Sequence, residues 1–147
     1  MYQRILVATD GSELSSTAVH SAIELAAAIG AELVALYVVA RYPVSYFEGG
    51  TSLSVEDIAE VEKQWSDKGQ AVVEAVRAKA AAQSVKARPV VVQSDLVAES
   101  IMATAAKHGC DLVVMASHGR KGIKRVLLGS ETQHVLTHST VPVLVLR

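Results

Sequence analysis

Five short runs, at positions 5–9, 33–40, 90–93, 112–117 and 141–146, are rich in Val, Ile and Leu and scarcely interrupted by polar residues. Continuous rather than alternating apolar character marks strands buried on both faces, as in a parallel sheet covered by helices. Longer segments between them carry helical spacing. In residues 12–29, Val19, Ala22, Ile23, Ala26 and Ala27 share one stripe, and Gly30 supplies a C-terminal stop. Residues 54–82 place Val55, Ile58, Val61, Trp65, Val72 and Val76 at steps of mostly three or four, with Gly69 as a weak point and Trp65 as the core anchor. At about 1.5 Å per residue this helix overhangs a small sheet, so a frayed or bent end is expected. A third helix, at 95–107, buries Val97, Ile101, Met102 and Ala105 before His108 and Gly109; a short fourth spans 130–138.

Strand and helix thus alternate strictly and end on a strand. That pattern predicts an α/β fold: an open, mainly parallel five-stranded sheet, order 3-2-1-4-5, with right-handed crossovers and helices on both faces. Pro89 and Pro142 stand at the beginnings of the third and fifth strands, which this order puts at the sheet's edges, where proline is tolerated. Residues 41–53, containing Pro43, Gly49 and Gly50, lack periodicity and read as a mobile flap.

Length and composition narrow the picture. A chain of 147 residues, 50% hydrophobic, suits one domain over 1–147. With 14 Lys and Arg against 15 Asp and Glu, the net charge of -1 gives no electrostatic reason to expect nucleic acid or an anionic membrane. Cys110 is the only cysteine, so no intramolecular disulfide can form. No signal-peptide pattern opens the chain and no apolar stretch approaches the roughly 20 residues of a membrane span, so a cytoplasmic protein is expected.

In an open α/β sheet ligands sit beyond the carboxyl ends of the strands, where the strand order reverses. Here that place lies between the first and fourth strands, followed by "ATDGS" from Ala8 and "ASHGRKG" from Ala116. Further on, Gly129 and Ser130 open the last helix. Glycines let backbone N–H groups approach a phosphate, and a helix N-terminus adds donors and a favourable dipole. Arg120, Lys121, Lys124 and Arg125 lie between, with no acidic residue from position 112 to 130. The result is a candidate phosphate cradle. Each part also has a structural reading: Ser130 with Gln133 forms a capping box, the basic residues form a solvated loop, and Asp10 makes an Asx turn or cap. The spacing is neither that of the P-loop nor that of the dinucleotide fingerprint.

The segment 115–145, "MASHGRKGIKRVLLGSETQHVLTHSTVPVLV", resembles the C-terminal signature of universal stress proteins, and "RILVATDGSELSSTAV" resembles their N-terminal one. Similarity extends over the whole chain and implies a Rossmann-like, adenine nucleotide alpha hydrolase-like fold. ATP-binding members carry G-x2-G-x9-G-[ST]; Gly119, Gly129 and Ser130 match its second and third glycines and its hydroxyl, while Ala116 replaces the first glycine. That departure is mild if the backbone there is extended and serious if it is left-handed. By position, the resemblance implies that Ala8 and Thr9 border base and ribose, that Val38 and Met115 contact adenine, and that Asp10 lies near the nucleotide and a magnesium or manganese ion. Gly119, Gly129, Ser130 and Thr132 match phosphate-contacting positions; His118, Arg120 and Glu131 complete the candidate set.

The resemblance further implies a homodimer through the C-terminal strand, where Val141, Val143, Leu144, Val145 and Leu146 precede the final Arg147. The leading reading is an ATP-responsive stress regulator with an unidentified protein partner and no dedicated catalytic machinery. Its rivals are a nucleotide-free member acting through protein contacts and a slow ATPase or autophosphorylating protein. A receiver-type phosphoacceptor fits less well, because Thr9 precedes Asp10 where that fold needs paired acids. His134 and His138 share a helix face without a third ligand and read as surface residues. Cys110 reads as core packing, and Ser12, Ser15 and Ser16 as a cap and polar face without a base to activate them.

Overall fold

Nine elements follow one another: β1 Arg4–Ala8, α1 Glu13–Ile29, β2 Glu32–Val39, α2 Val55–Ala81, β3 Ala87–Gln93, α3 Val97–His108, β4 Leu112–Ala116, α4 Ser130–His138 and β5 Val143–Leu146. They come from a computed structural model that describes residues 1–43, 53–118 and 128–147. Most of the expected flap, and Gly119, Arg120, Lys121, Lys124 and Arg125, lie outside the described residues. The strands form one sheet in the order β3-β2-β1-β4-β5, all pairs parallel. Order and direction are those expected from the alternation of elements.

Side chains alternate between the two faces of each strand, and this divides the core. On one face Ile5 and Val7 of β1, Leu33 and Ala35 of β2 and Leu112 and Val114 of β4 pack with Val19 and Ile23 of α1 and Val73 and Val76 of α2. On the other, Leu6, Leu36, Val113 and Met115 pack with Ile101 of α3 and Val135 of α4. The central strands are covered on both sides, which is why their sequences are continuously apolar. Truncating a fully buried residue such as Ile23 to Ala is worth about 2–5 kcal/mol.

Helix ends are set locally where the sequence allows it. Ser12 caps α1, its side chain accepting from Ser15 N–H at 3.3 Å, and Gly30 closes the helix in the left-handed conformation, φ 73°, which glycine adopts without steric cost. The 27-residue α2 runs unbroken from Val55 instead of fraying. Its first turns overhang as expected and bury no residue before Gly69, but a reciprocal capping box between Ser54 and Asp57 satisfies its N-terminus.

Three local expectations change in the tertiary structure. Trp65 is not a core anchor: it is 36% exposed and stacks on Tyr42 with ring centroids 6.1 Å apart. Gly69 is not a weak point, because a Cβ there would lie 2.6 Å from the Tyr37 ring of β2; the helix passes too close to that ring for any side chain. Pro89 is the third residue of β3 and not its first, opposite Ala35, and is tolerated because β3 is an edge strand. Pro142 precedes β5, and its carbonyl accepts from Val113 N–H at 3.0 Å.

Candidate functional site

The strand order reverses between β1 and β4, whose register pairs Val7 with Val114. Ala8 and Met115 follow at the same level, one on each side of the crevice mouth. Both side chains lie on the α3/α4 face of the sheet, and Val38, two residues beyond Ala8's partner Leu36, lies on that face as well. Sheet parity therefore groups Ala8, Val38 and Met115 into one apolar wall. Ala116 belongs to the opposite face, where its methyl packs with the α1/α2 core. As the last residue of β4 it is extended, and it is absent from the residues with positive φ. The replacement of the motif's first glycine is thus the mild case.

After β1 the chain turns sharply into α1. Thr9 is buried, its N–H donating to the Leu36 carbonyl at 3.0 Å and its hydroxyl meeting Ser15 Oγ at 2.9 Å. Asp10 Oδ1 accepts from Ser12 N–H at 2.9 Å, an Asx turn that presents the start of α1. Ser15 was not legible as a site residue, yet it ties α1 to the end of β1: its hydroxyl also donates to the Ser12 carbonyl at 2.9 Å.

After β4, the buried Ser117 organises the turn. Its N–H donates to the Leu146 carbonyl at 2.7 Å and its carbonyl accepts from Gly129 N–H at 2.7 Å, while its hydroxyl pairs with His118 Nδ1 at 2.9 Å. Only its place in the turn after β4 hinted at this role. Gly129 is the N-cap of α4, with extended backbone and no side-chain cap, so the capping box of Ser130 with Gln133 is not formed. A Cβ on Gly129 would lie 3.3 Å from the Ser117 carbonyl oxygen. The glycine is therefore explained by a close approach that draws the start of α4 onto the end of β4. Past it, the first-turn N–H groups of Ser130, Glu131 and Thr132 have no acceptors within the helix, which gives the start of α4 the positive polarity of a helix N-terminus.

Two candidates also have structural partners. Thr132, almost fully buried, donates its hydroxyl to the Ala116 carbonyl at 3.0 Å. Glu131 reaches α3, accepting from Ala98 N–H at 2.9 Å, and so caps a helix whose own N-cap, Leu96, has no side chain able to do so. Asp95, the expected start of α3, instead accepts from Arg41 N–H at 3.0 Å. Gly119 and Arg120 fall outside the described residues.

Among the described residues, no group of three or more His, Cys, Asp or Glu side chains is placed to hold a metal ion. His134 pairs with Glu99 at 3.3 Å and packs against His138 with ring centroids 4.5 Å apart. Cys110 is buried, which pushes its thiol up to about 11 and leaves little of the reactive thiolate at neutral pH. No helix among the described residues is long and apolar enough to cross a membrane.

The parallel sheet, with a helix N-terminus at its switch point, defines an open α/β protein of Rossmann-like architecture. Its full length, residues 1–147, matches the model of the universal stress protein family. The chain belongs to that family. Universal stress protein MJ0531 of Methanocaldococcus jannaschii is 35% identical over 148 residues, spanning 100% of this chain and 83% of the relative. Universal stress protein UspA from Lactobacillus plantarum has the same fold, with a TM-score of 0.86 at 24% identity, over 99% of this chain and 98% of that one. A universal stress protein solved in complex with cAMP superposes with a TM-score of 0.71 at 24% identity, over 99% of this chain and 97% of that one.

Proposed function

We propose that this chain binds ATP, with magnesium or manganese, in the crevice between β1 and β4 and acts as a nucleotide-responsive stress-response regulator in the cytoplasm. The observation that carries the reading is the start of α4, drawn onto the end of β4 by the bond from Gly129 N–H to the Ser117 carbonyl, with a glycine at its N-cap that has no side chain to occupy the helix end. Anions are favoured at such a helix end. In this reading Ala8, Val38 and Met115 form the wall for adenine, Thr9 borders the ribose, and Asp10 faces the metal. Gly119, Arg120, Ser130 and its neighbours hold the phosphates. The cAMP complex of a family member makes adenine nucleotides the class to try first. Denaturing the purified protein and identifying the released small molecules, followed by calorimetric titration with ATP and magnesium, tests the reading. Released or titrated ATP at one site per chain supports it; an empty protein that binds no adenine nucleotide replaces it with a scaffold acting through protein contacts.

We further propose a homodimer through β5. This edge strand carries no charge from Val143 to Leu146, and Leu144 is 40% exposed, so its outer backbone groups and apolar side chain invite two-fold pairing with a second copy. Val143 and Val145 pack into the α3/α4 core, so lysine there would damage the fold as well as the edge. The clean variant is Leu144→Lys. Light scattering is expected to show a dimeric wild type and a shift toward monomer in the variant; a monomeric wild type, or a folded variant that stays dimeric, overturns the interface.

A further inference from the structure

At the amino ends of β1, β2 and β3, opposite the crevice, lies a hollow of about 450 Å³ lined by Arg4, Glu32, Lys86, Arg88, Lys107 and His108 over a floor that includes Val34 and Pro89. It exists because α3 packs over β2, leaving the start of the edge strand β3 as a ledge beside the end of that helix. Arg88 pairs with Val34 in the register, and Val34 belongs to the α3/α4 face. Arg88 therefore projects on the side where α3 ends in Lys107 and His108.

Four permanent cations, Arg4, Lys86, Arg88 and Lys107, line this hollow with one carboxylate, Glu32. That carboxylate is already engaged: Arg4 meets it at 2.8 Å and Lys86 at 3.8 Å. The end of α3 would by itself repel an anion, because helix C-termini present carbonyls and negative polarity. Here the His108 carbonyl is covered by Arg4 Nη1 at 2.6 Å, and the net side-chain charge outweighs the half-charge of a helix end. Burial first, and then the charges of Arg88, Lys107 and Arg4, hold His108 below its ordinary pKa. The volume lies within the usual range for small-molecule sites, about 300–1,000 Å³.

We propose that this hollow is a second ligand site, taking a small polyvalent phosphate-bearing anion between Arg88 and Lys107, with Lys86 and Arg4 at its rim. Arginine and lysine together suit phosphate, the guanidinium by paired donors and the ammonium as a point charge. The site does not depend on the nucleotide crevice, which lies at the other end of the strands.

The probe is inorganic pyrophosphate, titrated at low ionic strength into the full chain and into Arg88→Gln with Lys107→Gln; both side chains are exposed, so the variant is expected to fold. One-site binding is expected in the wild type, weakened at least about tenfold in the double variant and falling with added salt, as for an exposed ionic site. Backbone amide shifts in the wild type locate the ligand without relying on any variant: they are expected at Lys86, Ala87, Arg88, Lys107 and His108. Absence of saturable binding, undiminished affinity in the folded double variant, or shifts confined to Ser130, Glu131 and Thr132 would each overturn the proposal. A citrate arm separates phosphate from carboxylate chemistry. Weaker citrate binding supports the assignment, and equal affinity at the same residues overturns it.

Discussion

The two anion sites proposed at opposite ends of the sheet are built by opposite means. At the carboxyl ends of β1 and β4 the described donors are mainly backbone N–H groups, those of the first turn of α4 behind its glycine N-cap. At the amino ends of β1, β2 and β3 they are side-chain cations, Arg4, Lys86, Arg88 and Lys107. The difference follows from topology. In a parallel α/β chain the helices after the strands begin near the strands' carboxyl ends, so helix N-termini gather there with their spare donors. The amino ends receive helix C-termini and their carbonyls. A positive site at the amino end must therefore come from side chains, and some of that charge is used on the carbonyls themselves, as Arg4 is on His108.

The most severe way to break this contrast is Gly129→Val. Its side chain would press on the Ser117 carbonyl, 3.3 Å from the Cβ position, and push the start of α4 off β4. ATP affinity is expected to fall by about a hundredfold, close to the upper end of the roughly 1–3 kcal/mol that overpacking costs, with pyrophosphate binding at the amino end unchanged. Calorimetry on a variant with native circular dichroism decides it, and retained ATP affinity would remove α4 from the site.

A smaller effect is expected at the opposite end. Asp111 accepts from Gln3 N–H at 2.9 Å and Arg4 N–H at 3.0 Å, tying the first residues to the start of β4. Asp111→Ala should lower stability by about 1.5–3 kcal/mol, the range for hydrogen bonds to a charged group, without changing ATP affinity. Burial raises the Asp111 pKa, but the backbone N–H groups of Gln3 and Arg4 outweigh it, and the net shift is downward from the ordinary carboxylate value. A depressed folded-state pKa contributes stability above the unfolded value and loses it as pH falls through the folded one. The difference between wild type and variant in urea melts should therefore be constant near neutrality and shrink below about pH 4. A difference independent of pH would mean that the carboxylate charge is irrelevant.

The smallest effect sharpens the reading of the crevice. Asp10→Ala should weaken ATP binding about tenfold with magnesium and less without it, because the carboxylate attracts the bound cation but, with the cation removed, faces phosphates of its own charge. Equal losses in both conditions would reduce Asp10 to its Asx turn with Ser12.

Much of this architecture was legible beforehand because it is written in nearest-neighbour patterns. Continuous apolar runs marked the doubly covered strands, 3.6-residue stripes marked the helices, and Gly30 and Gly109 marked their ends. Strict alternation then left few topologies, and the reversal of order put Ala8 and Met115 at one crevice. The register also answered a question the motif left open: Ala116 is extended and faces the other core.

What the chain by itself determined, then, is the kind and order of its elements and the end of the sheet at which its motifs gather, since both rest on periodicity and on the handedness of crossovers. Tertiary structure alone decided which residues meet across elements. Gly69 is required by the ring of Tyr37, the cap of α3 comes from Glu131, and the basic hollow draws on Arg4, Glu32, Lys86, Arg88 and Lys107 from four parts of the chain. No local pattern announces such groupings, because they depend on strand register and helix packing, which bring distant residues together only after the core has formed.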